Sequence, residues 1–99
     1  MTTTTACVSA HDLAEQLATR KVSVIDVREP MEFASGHIAG SINVPLSRLG
    51  QADLPSGPIV LVCQSGNRSG QGLRQLLERG HPHSVNDLAG GLPHWQQAG

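Results

Sequence analysis

Two short apolar runs constrain the fold of this chain more than any other feature. Val22–Val27 and Pro58–Val62 are rich in β-branched and aliphatic residues and lack a regular alternation of apolar and polar side chains. Such runs are typical of strands that are buried on both faces, which occur in parallel sheets. Because parallel strands are joined through crossover helices, the two runs predict an α/β fold.

Weaker signals place the other strands and the first two helices. Ser9 is predicted to be the N-cap of a helix whose apolar residues recur at helical spacing. Glu29 and Pro30 open a second, short helix, which Gly36 is predicted to end. The remaining strands are predicted near residues 6–8, 41–44 and 84–88.

A third helix is predicted after the loop Cys63–Ser69, up to about Glu78. Leu73, Leu76 and Leu77 fall on one face of it. Gly70 and Gly72 are expected to permit close packing of this helix on the sheet. Residues 46–57 are predicted to be a loop with one helical turn, and a short terminal helix is expected around Trp95.

Size and composition predict one domain over residues 1–99, with residues 1–5 flexible. The formal net charge of -1 gives no general attraction to nucleic acid or anionic lipid. No apolar run approaches the roughly 20 residues of a membrane span. Cys7 and Cys63 do not make a disulfide framework, and residues 1–5 lack the pattern of a secretory signal. A cytoplasmic location is therefore expected.

Cys63 is the candidate nucleophile. It follows the second apolar run directly, and Gly66 lies in the turn before the third helix. Backbone N–H groups converge at such a turn, and the helix N-terminus carries partial positive charge. Both features favour the thiolate, which is the nucleophilic form of cysteine. The alternative, a core cysteine at a strand end, fits poorly beside Arg68 and Ser69.

An anion-binding loop is predicted after this cysteine, formed by Gln64, Ser65, Gly66, Asn67, Arg68 and Ser69. Its backbone N–H groups are expected to point at an anion, and the Ser69 hydroxyl is expected to donate to the sulfur or to cap the helix. Two roles are open for Arg68. It contacts an anionic donor, or it braces the loop by pairing with Asp26 or Glu32.

Three segments resemble the rhodanese-like domain family in the family's order. Ile25–Phe33 with Gly36–Pro45 resembles its first signature, Cys63–Ser69 its active-site loop and Leu88–Trp95 its C-terminal signature. The resemblance spans about residues 8–99. It implies a rhodanese-like fold, a five-stranded, mainly parallel sheet with helices on both faces.

The resemblance also implies a function. Cys63 would take a sulfane sulfur from a donor such as thiosulfate or a persulfide, and pass it to cyanide or a thiol through a covalent persulfide. Asp26 and Arg28 would form a salt bridge that supports the loop, with substrate contact by Arg28 as the alternative. No cofactor, metal, nucleic acid or membrane is expected, and a partner protein is a further candidate for donor or acceptor.

Gln64 departs from the family pattern, because many related loops carry a basic residue there. Its presence predicts weaker attraction of thiosulfate and makes a protein persulfide an alternative donor.

Two other functions are alternatives to sulfur transfer. A non-catalytic module of the same fold would dock partners, but the complete loop with Cys63 argues against it. A phosphatase or arsenate reductase would have five residues between cysteine and arginine, whereas four separate Cys63 from Arg68. The shorter loop suits one sulfur atom better than a phosphoryl group.

Cys7 is interpreted as a small strand residue. The alternative is that it is a second thiol that resolves the Cys63 persulfide.

Overall fold

Strands and helices alternate along the chain. The computed structural model describes residues 5–19, 22–64, 67–80, 85–88 and 91–93, with the backbone alone for residues 5–7. Its elements are β1 (Thr5–Val8), α1 (Ala10–Ala18), β2 (Ser23–Asp26), α2 (Pro30–Ala34), β3 (Ile42–Asn43), a 3₁₀ turn (Leu46–Arg48), β4 (Ile59–Val62), α3 (Asn67–Glu78) and β5 (Val85–Leu88). The terminal helix predicted around Trp95 falls on residues that lie mostly outside those described.

The strands form one parallel sheet. Their order is β1-β5-β4-β2-β3, and every neighbouring pair is parallel. This confirms the predicted α/β fold. Because β2, β4 and β5 are adjacent and run the same way, the residues at their carboxyl ends lie along one edge of the sheet.

The central strand β4 is buried on both faces, as its sequence predicts. All four of its residues are fully buried, and they alternate between two apolar clusters. Val60 and Val62 pack with Leu13 of α1. Ile59 and Leu61 pack on the other face with Leu76 of α3. Burial of each such side chain stabilises the fold by roughly 1.5–3 kcal/mol.

The first two helices begin where the sequence predicts. The Ser9 hydroxyl accepts a hydrogen bond from the Asp12 N–H at 3.1 Å, which caps α1. Glu29 is the N-cap of α2, and Pro30 is its first residue. The Glu29 N–H donates to Oε1 of Glu32 at 3.1 Å, which fixes that carboxylate near the start of the helix.

One expectation for α3 is wrong, that Gly70 permits close packing on the sheet. Of the leucines predicted to share one face, Leu76 is fully buried, whereas Leu77 is 40% exposed. A Cβ on Gly72 would stand 2.8 Å from a methyl of Leu49, so this glycine does permit close packing. A Cβ on Gly70 would meet no atom within 4 Å. Gly72 and Leu76 are four residues apart and share the face that meets the sheet, whereas Gly70 faces away from it.

Three strands are shorter than predicted, and β1 is longer by one residue. β2 is Ser23–Asp26 rather than 22–27, β3 is Ile42–Asn43 rather than 41–44, and β4 is Ile59–Val62 rather than 58–62. Val22 and Val27 are as apolar as the strand that they flank, so composition does not mark where pairing stops. Among the helices that the structure describes, none is long and apolar enough to cross a membrane.

Candidate active site

Cys63 lies at the carboxyl edge of the sheet, directly after β4. It continues the alternation of that strand and packs in the cluster that contains Leu61 and Leu76, on the side of α3. Its side chain is fully buried. The strand therefore turns the sulfur towards the helix that begins at Asn67.

Ser69, in the first turn of α3, contacts the sulfur twice. Its backbone N–H donates to Cys63 Sγ at 3.3 Å. The Cys63 thiol donates to Ser69 Oγ, with 3.5 Å between the two atoms. Helix N–H groups of the first turn have no partner within the helix, so this one is available to an anionic sulfur.

Asp87 extends this arrangement from the neighbouring strand. The Ser69 hydroxyl donates to Asp87 Oδ2 at 3.3 Å, and the Asp87 side chain is 8% exposed. Asp87 pairs in register with Leu61 of β4. Sequence reasoning missed this residue, although an acidic residue inside a predicted strand is a signal that could have singled it out.

Arg68 pairs with Glu32, which joins α3 to α2. The guanidinium donates to both carboxylate oxygens, at 2.6 and 2.9 Å. Hydrogen bonds from Arg68 and from the Glu29 N–H lower the pKa of Glu32 from 4.5 to about 2. The pair with Glu32 raises the pKa of Arg68, and the nearby charges of Cys63 and Asp26 act in the same direction. Of the two roles open for Arg68, the described geometry is that of an ion pair with Glu32.

Asp26 and Arg28 form a second, buried ion pair at the end of β2. The Asp26 carboxylate accepts hydrogen bonds from the Arg28 backbone N–H at 3.0 Å and from its guanidinium at 2.8–3.1 Å. Arg28 Nη2 also donates to the Gly36 carbonyl at 2.7 Å. Asn43 Nδ2 donates to the carbonyls of Asp26 and Arg28, at 3.1 and 2.9 Å. The pair thus holds the segment after β2 against the residues that follow α2.

Gly91 lies against the backbone that follows Cys63. A Cβ at Gly91 would stand 2.8 Å from the Gln64 carbonyl carbon and 2.9 Å from the Cys63 carbonyl oxygen. Its φ of 72° is a backbone conformation that residues other than glycine rarely adopt. The Leu92 N–H donates to the Cys63 carbonyl at 3.0 Å. The segment after β5 therefore supports the start of the loop, a role that the sequence did not reveal.

The predicted anion-binding loop is described in part. Gln64 and Asn67 are exposed, Arg68 is half-buried and Ser69 is buried. Ser65 and Gly66 lie outside the described residues. The Ser69 N–H is one member of the predicted group of donors at the sulfur, and the part played by Gln64, Ser65, Gly66, Asn67 and Arg68 stays a prediction.

The other sequence candidates are separate from this cluster or remain open. Cys7 lies in β1, which β5 separates from β4, and its two interpretations are untested. In the part of the chain that the structure describes, no three His, Cys, Asp or Glu side chains come together to hold a metal ion.

Chemically, the site presents a buried sulfur to an N–H and a hydroxyl at the start of a helix. Both groups can donate to sulfur that carries negative charge. Glu32 holds Arg68 in the helix turn that contacts the sulfur, and Asp26 holds Arg28 at the end of β2, the strand beside β4. The arrangement suits a nucleophile that must also exist as an anion.

Known proteins resemble this chain in both sequence and fold. The sequence profile of the Rhodanese-like domain matches residues 9–98. An uncharacterized protein of Synechocystis sp. is 47% identical over 81 residues, covering 79% of this chain and 45% of the relative. The thiosulfate sulfurtransferase GlpE of Shewanella oneidensis is 33% identical over 95 residues, covering 92% of each chain.

Solved structures also resemble this chain. A rhodanese-related protein of Thermoplasma volcanium superimposes with a TM-score of 0.83 and 33% identity, covering 95% of this chain and 93% of the other. The chain spans less than half of the Synechocystis relative but nearly all of GlpE and of the Thermoplasma structure. Profile, sequence and fold agree that this chain belongs to the family of rhodanese-like domains.

Proposed function

We propose that this protein is a sulfurtransferase in which Cys63 carries a sulfane sulfur as a persulfide. The observation that supports this most strongly is the pair of contacts from Ser69 to the Cys63 sulfur, at 3.3 Å from the N–H and 3.5 Å from the hydroxyl oxygen. A sulfur carrier must be anionic when it attacks and again when it is loaded. The Ser69 N–H is a donor fixed in advance at the sulfur, and such a donor stabilises both states.

The reaction proceeds in two covalent steps. In the first, the Cys63 thiolate attacks the outer sulfur of the donor. With thiosulfate, a bond forms between Cys63 Sγ and the outer sulfur as the bond between the two sulfurs of thiosulfate breaks. The electron pair of the broken bond leaves with sulfite. In the second, the acceptor attacks the outer sulfur of the persulfide, and the electron pair of the broken S–S bond returns to Cys63.

The charges around Cys63 favour a thiol persulfide over thiosulfate as the donor. Arg68 is engaged by Glu32, and Arg28 is engaged by Asp26. Gln64, which is exposed beside the nucleophile, is uncharged. A dianion therefore gains little electrostatic attraction from these residues. The persulfide of a small thiol or of a partner protein needs no such attraction, and its acceptor is a second thiol.

Steady-state kinetics with two donors test the proposal. Thiosulfate and a low-molecular-weight thiol persulfide are each supplied with cyanide or a thiol as the acceptor. We expect ping-pong kinetics, a higher kcat/KM with the persulfide, and loss of turnover in Cys63→Ser. The matched variant Cys7→Ser is expected to load sulfur on Cys63, because loading requires one thiol.

Turnover that survives in Cys63→Ser would contradict the proposal. Absence of sulfur transfer from both donors would also contradict it, and would favour a non-catalytic docking module.

A further inference from the structure

Cys63, Ser69 and Asp87 are buried polar residues that form a line of three groups joined by hydrogen bonds. Cys63 follows β4, Ser69 lies in α3 and Asp87 lies in β5. The Cys63 sulfur and Ser69 Oγ are 3.5 Å apart, and Ser69 Oγ and Asp87 Oδ2 are 3.3 Å apart. Cys63 and Ser69 are fully buried, and Asp87 is 8% exposed. Ser69 therefore stands between a thiol and a carboxylate.

The serine hydroxyl has only one proton to donate. An ionised carboxylate accepts hydrogen bonds and donates none. While Asp87 is ionised, the Ser69 proton is directed at Asp87, and the Cys63 thiol donates to Ser69 Oγ. If the Cys63 thiol ionises, the Ser69 hydroxyl can donate to the thiolate only when it no longer donates to Asp87. The protonation state of Asp87 therefore affects the protonation state of the Cys63 sulfur.

We infer that Asp87 controls the proton of Cys63 through the Ser69 hydroxyl, which makes Asp87 a positioning residue for the transfer. This inference rests on the proposed function, because only a sulfur that alternates between protonated and anionic forms needs such control. As a carboxylate, Asp87 keeps Cys63 in the thiol form. As a carboxylic acid, it directs the Ser69 proton to the anionic sulfur.

The proton moves by exchange along the line. The S–H bond of Cys63 breaks as its proton passes to Ser69 Oγ, and the original Ser69 proton passes to Asp87. Asp87 then donates to Ser69 Oγ, and the Ser69 hydroxyl donates to the thiolate. The charge of the three groups together is unchanged. When transfer to the acceptor leaves a Cys63 thiolate, the reverse exchange restores the thiol.

Among the described residues, two ion pairs are the other charged groups considered near the line. Arg68 of α3 pairs with Glu32 of α2. Arg28 pairs with Asp26 at the end of β2. None of these four residues is changed in the variants below, so the two pairs contribute equally to every titration that is compared.

A titration of thiolate absorbance in the ultraviolet tests the inference without a sulfur donor. The chain contains no tyrosine, so tyrosinate does not interfere. A parallel titration with Cys63 replaced by serine, in each background, removes the signal of Cys7. In Asp87→Asn the amide nitrogen can donate to Ser69 Oγ, which leaves the hydroxyl proton for the sulfur. We expect the midpoint of Cys63 ionisation to fall by at least about one pH unit.

A double-variant comparison shows whether the effect travels through Ser69. In the Ser69→Ala background, Asp87→Asn is expected to shift the midpoint by less than half as much. Asp53→Asn removes a carboxylate from an exposed loop and is expected to leave the midpoint unchanged. Equal shifts in both backgrounds would mean that Asp87 acts by its charge alone and would overturn the inference. An unchanged or raised midpoint in folded Asp87→Asn would do the same, as would an equal shift in Asp53→Asn.

If Asp87→Asn does not fold, two serine variants carry the test. Ser69→Ala is expected to lower the midpoint, because ionised Asp87 can no longer hold the Cys63 proton through the hydroxyl, and Ser69→Thr is expected to restore it. A midpoint in Ser69→Ala that is the same as in the wild type, or higher, contradicts the inference. Since no sulfur is transferred in these titrations, the proton linkage can hold even if the proposed function fails.

Discussion

The guanidinium of Arg68 and the carboxylate of Glu32 form a two-point ion pair that joins the first turn of α3 to α2. The side chains are 34% and 38% exposed, so water screens their attraction. Arg68 directly precedes Ser69, which contacts the sulfur. The pair therefore holds the helix end at the sulfur, and in this geometry the guanidinium is engaged by Glu32.

Acid should remove the contribution of Glu32 to stability. Its pKa in the folded protein, about 2, lies below its usual value of 4.5, so the contribution is complete above pH 4.5 and is lost as the pH falls to about 2. Glu32→Gln should lower the free energy of unfolding at pH 7 by about 0.5–1 kcal/mol, because the pair is partly exposed. Urea unfolding of both proteins from pH 7 to pH 2 should show this difference disappearing. Glu78→Gln, at the exposed end of α3, is the matched control, and a difference for Glu32→Gln that is constant with pH would contradict the prediction.

Loss of Arg28 should cost far more than loss of Arg68. Arg28 is 5% exposed and its partner Asp26 is fully buried. Arg28→Leu leaves a buried carboxylate without its guanidinium, which is expected to lower the free energy of unfolding by about 3–5 kcal/mol. Arg68→Leu leaves Glu32 in contact with water and is expected to cost about 1 kcal/mol or less. Denaturant unfolding measures both, and equal losses would show that burial of the Asp26 pair is not what makes it important.

Replacement of Gly91 should disturb the loop through a clash as well as through backbone strain. Gly91 and Gly80 have similar φ values, 72° and 76°, but a Cβ on Gly80 would meet no atom within 4 Å. Gly80→Ala should therefore cost only the strain of a positive φ, about 1–2 kcal/mol. Gly91→Ala should cost more and should also reduce sulfur loading of Cys63. Thermal unfolding and loading assays on the two variants separate the effects, and equal behaviour would rule out the role given to Gly91.

A positive charge at position 64 should improve the use of thiosulfate. Gln64 is exposed beside the nucleophile, so a lysine there would attract a dianionic donor without repacking the core. We expect Gln64→Lys to raise kcat/KM for thiosulfate about tenfold at low ionic strength and to lose that gain in high salt. The value for the persulfide of an uncharged thiol, which carries at most one negative charge, should change less. A gain that is independent of salt, or one of equal size for both donors, would contradict the electrostatic explanation.

The sequence predicts the elements of this fold because the signals are local. The burial of β4 on both faces follows from its unbroken apolar run, and the cap of α1 follows from Ser9. Ends of elements are less well predicted, since Val22 and Val27 differ little in character from the strand that they flank. The side of a helix that meets the sheet is set by packing, which is why Leu77 is exposed and why the expectation for Gly70 is wrong.

The site is predicted less completely because its contacts join distant parts of the chain. Cys63 and Ser69 are six residues apart, and their importance is visible in the sequence. The contact between Ser69 and Asp87 spans 18 residues. It depends on β5 lying beside β4, as does the approach of Gly91 to Gln64. No local sequence pattern predicts that β5 and β4 are neighbours, so only the folded structure shows these two contacts.

Mass spectrometry of the protein after exposure to a sulfane donor tests the central claim most directly. Trypsin cleavage after Arg20, Arg48 and Arg68 places Cys7 and Cys63 in different peptides, so the site of loading can be read from the fragments. We predict the gain of one sulfur atom on the Cys63 peptide, removal of that atom by cyanide or a thiol, and no gain on this peptide in Cys63→Ser. A Cys63 peptide that stays unmodified with both thiosulfate and a thiol persulfide would contradict the account.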